Sequence, residues 1–348
     1  MLEHRRALKP ARDPVCSVCI ANYNGMSTLA ACLDSVRQQD CDFEVEVIVH
    51  DDASEDDSVA FIRKNYPEVE LLVSDENCGF CVSNNRMVDM ARGRYVLLLN
   101  NDAVLHTDAL RSLYEYAERQ DTQGILGLPQ YDMQDGRLLD RGSRLDPFLN
   151  PVPNLERNRR DVGMVIGACL WLPRALWHEL GGFPAWFHTL AEDMYLCCAA
   201  RLWGYPVEVL PVSGFRHWVG KSLGGGKVVG ERLRTTLRRR IMSERNKTFV
   251  MVLCYPTPLL WLLPLHLVLL LLEGGGLSLV KRDTRLFREI YGHVFAELWR
   301  CRRRLKEGRA RLQLRRRVTA TAFFAPHTWM PYKLRMLWRY GLPRVEMN

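Results

Sequence analysis

Tyr95-Val-Leu-Leu-Leu-Asn-Asn-Asp102 constrains this chain more than any other stretch. Five apolar residues end abruptly in two amides and a carboxylate. An uninterrupted apolar run of that length reads as a central strand, buried on both faces of a parallel sheet. Open α/β sheets bind their ligands at the carboxyl ends of such strands. A carboxylate there can hold a hard divalent cation, and the cation can hold a diphosphate. A plainer alternative has Asn100, Asn101 and Asp102 close the strand and cap the next helix. The segment alone leaves both open.

Its surroundings alternate strand and helix. Val15 to Ala21 predicts a strand, and Asn22-Tyr-Asn-Gly25 a turn. Ser27 is the expected N-cap of a helix through Gln38, with Leu29, Cys32, Leu33 and Val36 on one face. Phe43 to His50 predicts a second strand, ending in Asp51-Asp-Ala-Ser54. A helix from about Asp57 to Asn65 is closed by Pro67. Glu70 to Ser74 is a third strand, and Asn77 to Asn85 leads into a helix ending near Gly93. This order predicts a parallel, nucleotide-binding sheet with right-handed crossovers. Polar groups follow three successive strands, at Asn22 to Asn24, at Asp51 and Asp52, and at Asn100 to Asp102. All would share one edge of the sheet. Neither GxGxxG nor GxxxxGK is present, so a metal on Asp102 is the economical way to hold phosphates.

Four ordered stretches, Val18 to Gly25, Val47 to Ser58, Glu76 to Phe80 and Ala91 to Asp102, together resemble a family 2 glycosyltransferase of the GT-A fold. The nearest likeness is to the bacterial rhamnosyltransferase-like branch, over roughly residues 14–250. The family's aspartate-any-aspartate signature stands here as Asn100-Asn101-Asp102, so only its last carboxylate remains. The resemblance implies that Ala21, Asn22, Tyr23, Asp51 and Asp52 hold the base and ribose. It places Asn77, Gly79, Asn85, Asn100 and Asn101 against the nucleotide sugar, and Asp102 with His217 on Mg²⁺ or Mn²⁺.

Gln120 to Arg160 is rich in turn residues and predicts short strands in an acceptor-facing insertion. Val165 to Leu172 resumes the sheet, and Pro206 to Leu210 is its last strand. Between them Glu192-Asp193 opens an otherwise apolar helix from Met194 to Trp203. Acids at a helix N-terminus suit the dipole whatever their role. Inverting sugar transfer needs a carboxylate to take the acceptor hydroxyl proton, and an electrophile on the leaving diphosphate. The family pattern puts that base at Asp193, with Glu192 as second choice. Tyr195 and Ala199 stand where this branch often has Asp and Arg, which touches acceptor positioning rather than the base. A lone histidine is usually structural. His217, in Phe215-Arg-His-Trp-Val-Gly-Lys-Ser222, stands where the family has a histidine near metal and diphosphate. Lys221 and Ser222 would donate to phosphate oxygens, and Gly224 to Gly226 suit a flap.

Charge divides the chain. Residues 231–348 carry 25 Lys and Arg against 8 acids, a net +17, which leaves −9 for the rest of the +8 total. Phe249 to Leu272 contains no formally charged residue. Its prolines and its two basic flanks argue against one straight span. A re-entrant or interface-lying hairpin on the cytoplasmic face fits better, with a buried helical pair as the alternative. Beyond it, Leu286 to Leu314 predicts a basic helix, and Trp329, Tyr332, Trp338 and Tyr340 interleave with Arg and Lys. That composition suits an anionic membrane surface. No nucleic-acid motif accompanies it, and none is expected as partner. Cys16-Ser-Val-Cys19 has CxxC form but lies in a strand-like run, and reads as buried thiols. The short basic start, Met1 to Pro10, has no signal-peptide pattern, which points to a reducing cytoplasm.

The expected fold is therefore α/β, of GT-A type, with a tail at 1–13, a catalytic domain at 14–248 and a helical, basic, membrane-associating region at 249–348. The expected activity is metal-dependent, inverting transfer of one sugar. The donor would be a nucleotide-diphosphate sugar, dTDP-L-rhamnose by resemblance. The acceptor would be a lipid-linked glycan in bacterial surface polysaccharide synthesis, on the cytoplasmic face of the inner membrane. A sugar nucleotidyltransferase would share the sheet but needs a Gly-rich basic loop after the first strand, and Asn22 to Met26 holds no basic residue. A degenerate, non-catalytic membrane scaffold is the other alternative.

Overall fold

Apolar runs bounded by turn residues become strands. The computed structural model describes residues 2–218, 225–229, 232–341 and 344–346. They form two compact units: Met1–Ser143, Pro153–Leu196 and Tyr205–Trp218 make the first, and Arg144–Val152, Cys197–Gly204 and Val219–Asn348 the second. Through residue 218 the strands are β1 (Leu2–Arg5), β2 (Cys16–Asn22), β3 (Val45–Asp52), β4 (Glu70–Ser74), β5 (Tyr95–Asn100), β6 (Ala103–Leu105), β7 (Ile125–Gly127), β8 (Gln130–Asp132), β9 (Leu138–Asp140), β10 (Arg144–Leu145), β11 (Pro151–Val152), β12 (Cys169–Pro173), β13 (Val207–Val209) and β14 (Phe215–His217). The helices among them are α1 (Met26–Arg37), α2 (Ser58–Asn65), α3 (Phe80–Met90), α4 (Ala109–Glu118), α5 (Arg174–Leu180) and α6 (Glu192–Leu202).

An eight-stranded sheet of order β1-β4-β3-β2-β5-β12-β7-β13 organises the first unit. Strands β4, β3, β2 and β5 are parallel, as the alternation predicts. Their side chains are buried on both faces: Val96 to Leu99 are at most 1% exposed. β12 is antiparallel to β5 and to β7, so the sheet is mixed rather than wholly parallel. The chain enters β12 beside Leu99, at the carboxyl edge, and runs back toward Tyr95 without a crossover. Leu2–Arg5, expected in a tail, instead adds an antiparallel edge strand to β4. His4 Nε2 lies 2.9 Å from Glu70 Oε2 there. Cys16 and Cys19 are fully buried in β2. Three residues apart in a strand, they point to opposite faces, which rules out a shared metal.

A smaller four-stranded sheet, β6-β14-β8-β9, stands beside these elements in the same unit. In it His217 pairs with Ala103 on one side and Asp132 on the other. This register brings His217 next to the end of β5.

In the second unit the apolar run from Phe249 to Leu272 is not one element. α7 (Leu237–Cys254) takes its first residues, with Phe249, Val250 and Met251 buried. Pro256 and Pro258 then break the helix, each lacking an N–H for the preceding turn. α8 (Leu262–Lys281) follows, and Pro264 sits harmlessly in its first turn. Together with the short 3₁₀ turn before it, Thr257–Lys281 is the one helix among the described residues long and apolar enough to cross a membrane, with mean hydropathy 1.8. The basic region continues as α9 (Thr284–Leu286), α10 (His293–Arg300), α11 (Arg302–Leu314), α12 (Ala320–Phe324) and α13 (Tyr332–Tyr340). A π-helical turn at Phe287–Gly292 joins α9 to α10.

Candidate active site

The carboxyl ends of β2, β3 and β5 carry one connected polar network. Asn22 Nδ2 donates to Asp51 Oδ2 at 2.8 Å, and its Oδ1 accepts from Asn101 Nδ2 at 2.7 Å. Asp51 also accepts from Ser54 N and Ser54 Oγ, at 2.9 and 2.7 Å. Gly25 gives this network room. A Cβ there would stand 2.1 Å from Asn22 Oδ1 and 2.2 Å from Asn101 Nδ2. Asp52 is bonded differently. It accepts from the backbone N–H of Cys78 and Gly79, both at 2.8 Å, and so holds the turn before α3. Gly79 has φ +90°, which disfavours a side chain. Tyr23 is half exposed, Ala21 partly buried and Asn77 exposed.

Asp102 and His217, 115 positions apart in sequence, meet at the end of β5. Asp102 Oδ1 lies 3.0 Å from His217 Nε2, outside hydrogen-bond geometry. Asn100 Oδ1 is buried and has no hydrogen-bond partner among the described residues, and Asn100 Nδ2 is 3.5 Å from the same ring nitrogen. One carboxylate oxygen without a hydrogen bond and one imidazole nitrogen face each other, and Asn100 would add its Oδ1 with the amide turned about, a donor set that Mg²⁺ or Mn²⁺ accepts. Gln130 Nε2 sits 2.9 Å from His217 Nδ1. With the amide turned so that Oε1 accepts the Nδ1 proton, the Nε2 lone pair is left facing Asp102. Gln130 escaped the sequence reading, because only the β14–β8 pairing brings it close.

A second cluster, His50, Asp52 and Cys78, has ligand atoms within 4.8 Å of one another. A side-chain cation already stands among them. Arg86 Nη1 is 2.8 Å from Ser74 Oγ, 3.2 Å from His50 Nε2 and 3.5 Å from Cys78 Sγ. Burial, with help from Arg86, pushes the His50 imidazole down to about 4. The cluster fits a guanidinium better than a metal ion, because two of Asp52's acceptor sites are taken by backbone N–H groups.

Asp193 and buried Glu192 open α6. Asp193 Oδ2 accepts from Gly167 N at 2.9 Å and Oδ1 from Met194 N at 2.7 Å, which fixes the carboxylate. The residues leading into the pair are strained. His188, Leu190 and Ala191 all have φ between +62° and +70°, a region costly for any residue with a Cβ. Nothing in their side chains announces this. Asn85 lies farther back. Its amide is bonded at both ends to Phe183, donating to O at 2.8 Å and accepting from N at 2.9 Å. Lys221, Ser222 and Gly224 fall outside the described residues, and Gly225–Val229 forms a strand.

Comparison with known proteins finds similarity to one family of transferases. Residues 17–181 match the sequence profile of glycosyl transferase family 2. Succinoglycan biosynthesis protein ExoO of Rhizobium meliloti is 32% identical over 133 residues, 37% of this chain and 38% of that protein. A chondroitin synthase of Escherichia coli is 31% identical over 190 residues, 53% of this chain and 26% of that protein. The matched segments span 19% to 38% of the first curated relatives. Among solved structures, a mannosyltransferase from Pyrobaculum calidifontis in complex with GDP-Man and Mn²⁺ aligns over 84% of this chain and 88% of its own, with TM-score 0.51 and 20% identity. That likeness is one of fold, and the fold is the GT-A type of α/β architecture.

Proposed function

Because residues 17–181 match the profile of glycosyl transferase family 2, we propose that the chain is a metal-dependent, inverting glycosyltransferase of surface polysaccharide synthesis. The observation that carries this reading is Asp102 Oδ1 facing His217 Nε2 at 3.0 Å, with the Asn100 amide beside the same ring nitrogen, at the carboxyl edge of the sheet. The relatives named for succinoglycan and chondroitin synthesis support a polysaccharide product.

The donor is a nucleotide-diphosphate sugar. Asn22, Asp51 and Asp52, with Ala21 and Tyr23, shape the nucleoside end at β2 and β3. Asn77, Gly79 and Asn101 flank it, and Asn85 positions the Phe183 segment. Asp102, His217 and Asn100 would hold Mg²⁺ or Mn²⁺, which supplies positive charge to the leaving diphosphate. Lys221 and Ser222 would add donors to its oxygens. Asp193 takes the proton of the acceptor hydroxyl as that oxygen attacks the anomeric carbon. The new C–O bond forms on the face opposite the breaking one, so configuration inverts and the nucleoside diphosphate departs. Glu192 is the alternative base. The acceptor is a lipid-linked glycan, one sugar is added per turnover, and L-rhamnose is the donor sugar that the motifs favour. The catalytic domain runs over residues 14–248, and the region 249–348 attaches it to the cytoplasmic face of the inner membrane.

The test is turnover by the membrane-bound chain with a panel of nucleotide sugars, divalent metal and a lipid-linked acceptor extract. Transfer from one donor, lost in Asp193→Asn and in Asp102→Ala, is the expected result. Full activity in Asp193→Asn would move the base to Glu192. Absence of transfer from every donor, with an acceptor known to be competent, would sink the enzymatic reading.

A further inference from the structure

The two faces of α8 are both apolar but have different surroundings. Leu262, His266, Leu270, Gly274 and Leu277 are buried at helical spacing. Opposite them Trp261, Leu265, Val268, Leu272 and Leu279 stand exposed, at intervals of 4, 3, 4 and 7 residues. Leu272 and Leu279 are 67% and 80% exposed. The glycines report the same asymmetry. A Cβ at Gly274 would come 2.6 Å from Tyr291 Cδ2, whereas one at Gly275 or Gly276 would meet nothing within 4 Å.

A lone helix that spans a bilayer shows its whole circumference to lipid. α8 cannot do so and keep its buried face. Glu273 accepts from Lys333 Nζ at 2.8 Å and pairs with Arg240. His266 Nε2 lies 2.9 Å from Thr248 Oγ1. A helix seated on protein along one side and bare along the other has the geometry of one lying in the membrane interface.

The border of the bare stripe indicates what covers it. Lys281 ends α8, and Arg282 and Arg285 follow it. Lys333 ties α13 to α8, and α13 exposes Leu334, Leu337 and Trp338 at i, i+3 and i+4, next to Arg335 and Arg339. Leucines bordered by indole rings and basic heads match an acyl boundary under anionic headgroups. We propose that the chain binds anionic bilayers monotopically, with α8 lying in the interfacial plane and its Trp261-to-Leu279 stripe in the acyl boundary. This rests on the membrane partner proposed above and defines how that partner is held.

The full chain is floated with vesicles of phosphatidylcholine, alone or with about a third phosphatidylglycerol. Wild type should float with the anionic vesicles. The double variant Leu265→Glu, Leu272→Glu should bind about tenfold less or weaker still. Both sites are exposed, so its thermal melt should match wild type. The triple variant Lys281→Glu, Arg282→Glu, Arg285→Glu should lose the preference for anionic vesicles. Trypsin added to inverted membrane vesicles should cut both the first unit and the basic tail, and in spheroplasts neither. A wild type that stays unbound, a double variant that floats like wild type, or a tail cut only from the side opposite the first unit would each overturn the proposal. Donor turnover is measured on the same samples. Turnover without vesicle binding removes this inference and leaves the transferase reading, and vesicle binding without turnover does the reverse.

Discussion

Gly25 matters for the space it leaves, since its φ of −98° is open to any residue. Gly25→Ala should separate Asn22 from Asn101 and cost about 1–2 kcal/mol in a thermal melt, the worth of one buried hydrogen bond. Nucleotide affinity should fall with it. Gln130 acts at one remove, through His217. Gln130→Leu should weaken Mn²⁺ binding about tenfold or more, read by calorimetry in the presence of nucleoside diphosphate, with the fold retained. His50 sets a pH dependence. Its folded value, near 4, lies below the ordinary 6.5, chiefly through burial. The neutral ring is the one the fold accepts. Its contribution is therefore complete above about pH 6.5 and is lost as pH falls toward 4, up to roughly 3 kcal/mol. Denaturant melts between those limits should show that slope, and His50→Gln should flatten it.

At the scale of elements, the strained approach to α6 makes its own prediction. Ala191→Gly relieves a left-handed Cβ, worth about 1–2 kcal/mol, and adds unfolded-chain entropy of about 0.4–1 kcal/mol. The melting point should barely move. Turnover should fall, because Glu192 and Asp193 lose the fixed entry that aims them. Unchanged turnover would mean that the strain does not serve the acid pair. The sequence displays the elements and hides this device, for a physical reason. Apolar runs such as Val18 to Ile20 and Val96 to Leu99 record burial directly, and so reveal strands. The left-handed backbone of His188, Leu190 and Ala191 is imposed by surrounding contacts and leaves no mark on residue type. The edge strand Leu2–Arg5 is hidden for a similar reason, since three of its four residues are polar or charged and only pairing with β4 makes it a strand. The meeting of Asp102 with His217 follows from strand pairing between β14 and β6. Only the likeness of motifs, and no spacing rule, could have foreseen it.

At the scale of the molecule, the two compact units have separate means of stabilisation. The first rests on an apolar sheet core that includes Ile20, Val49, Leu97 and Trp171. The second adds a buried charge network to its helices. Glu244 accepts from Lys333 Nζ at 2.5 Å and faces Lys247 Nζ at 2.8 Å. Burial alone would raise that carboxyl, but the two ammonium groups and Arg240 outweigh it and hold it well below the ordinary range. Glu244→Gln leaves those cations buried without their anion, at a cost of about 3–5 kcal/mol. Ile20→Ala opens a cavity in the sheet core, at a cost of about 2–5 kcal/mol. Units with their own cores can unfold as separate steps. Calorimetry should then resolve two transitions, with Glu244→Gln lowering one and Ile20→Ala the other. The split falls inside α6, after Leu196, so the acid pair belongs to the sheet unit while the rest of its helix belongs to the other. If instead one transition shifts as a whole in both variants, the chain unfolds as a single cooperative block and the separate-step prediction fails.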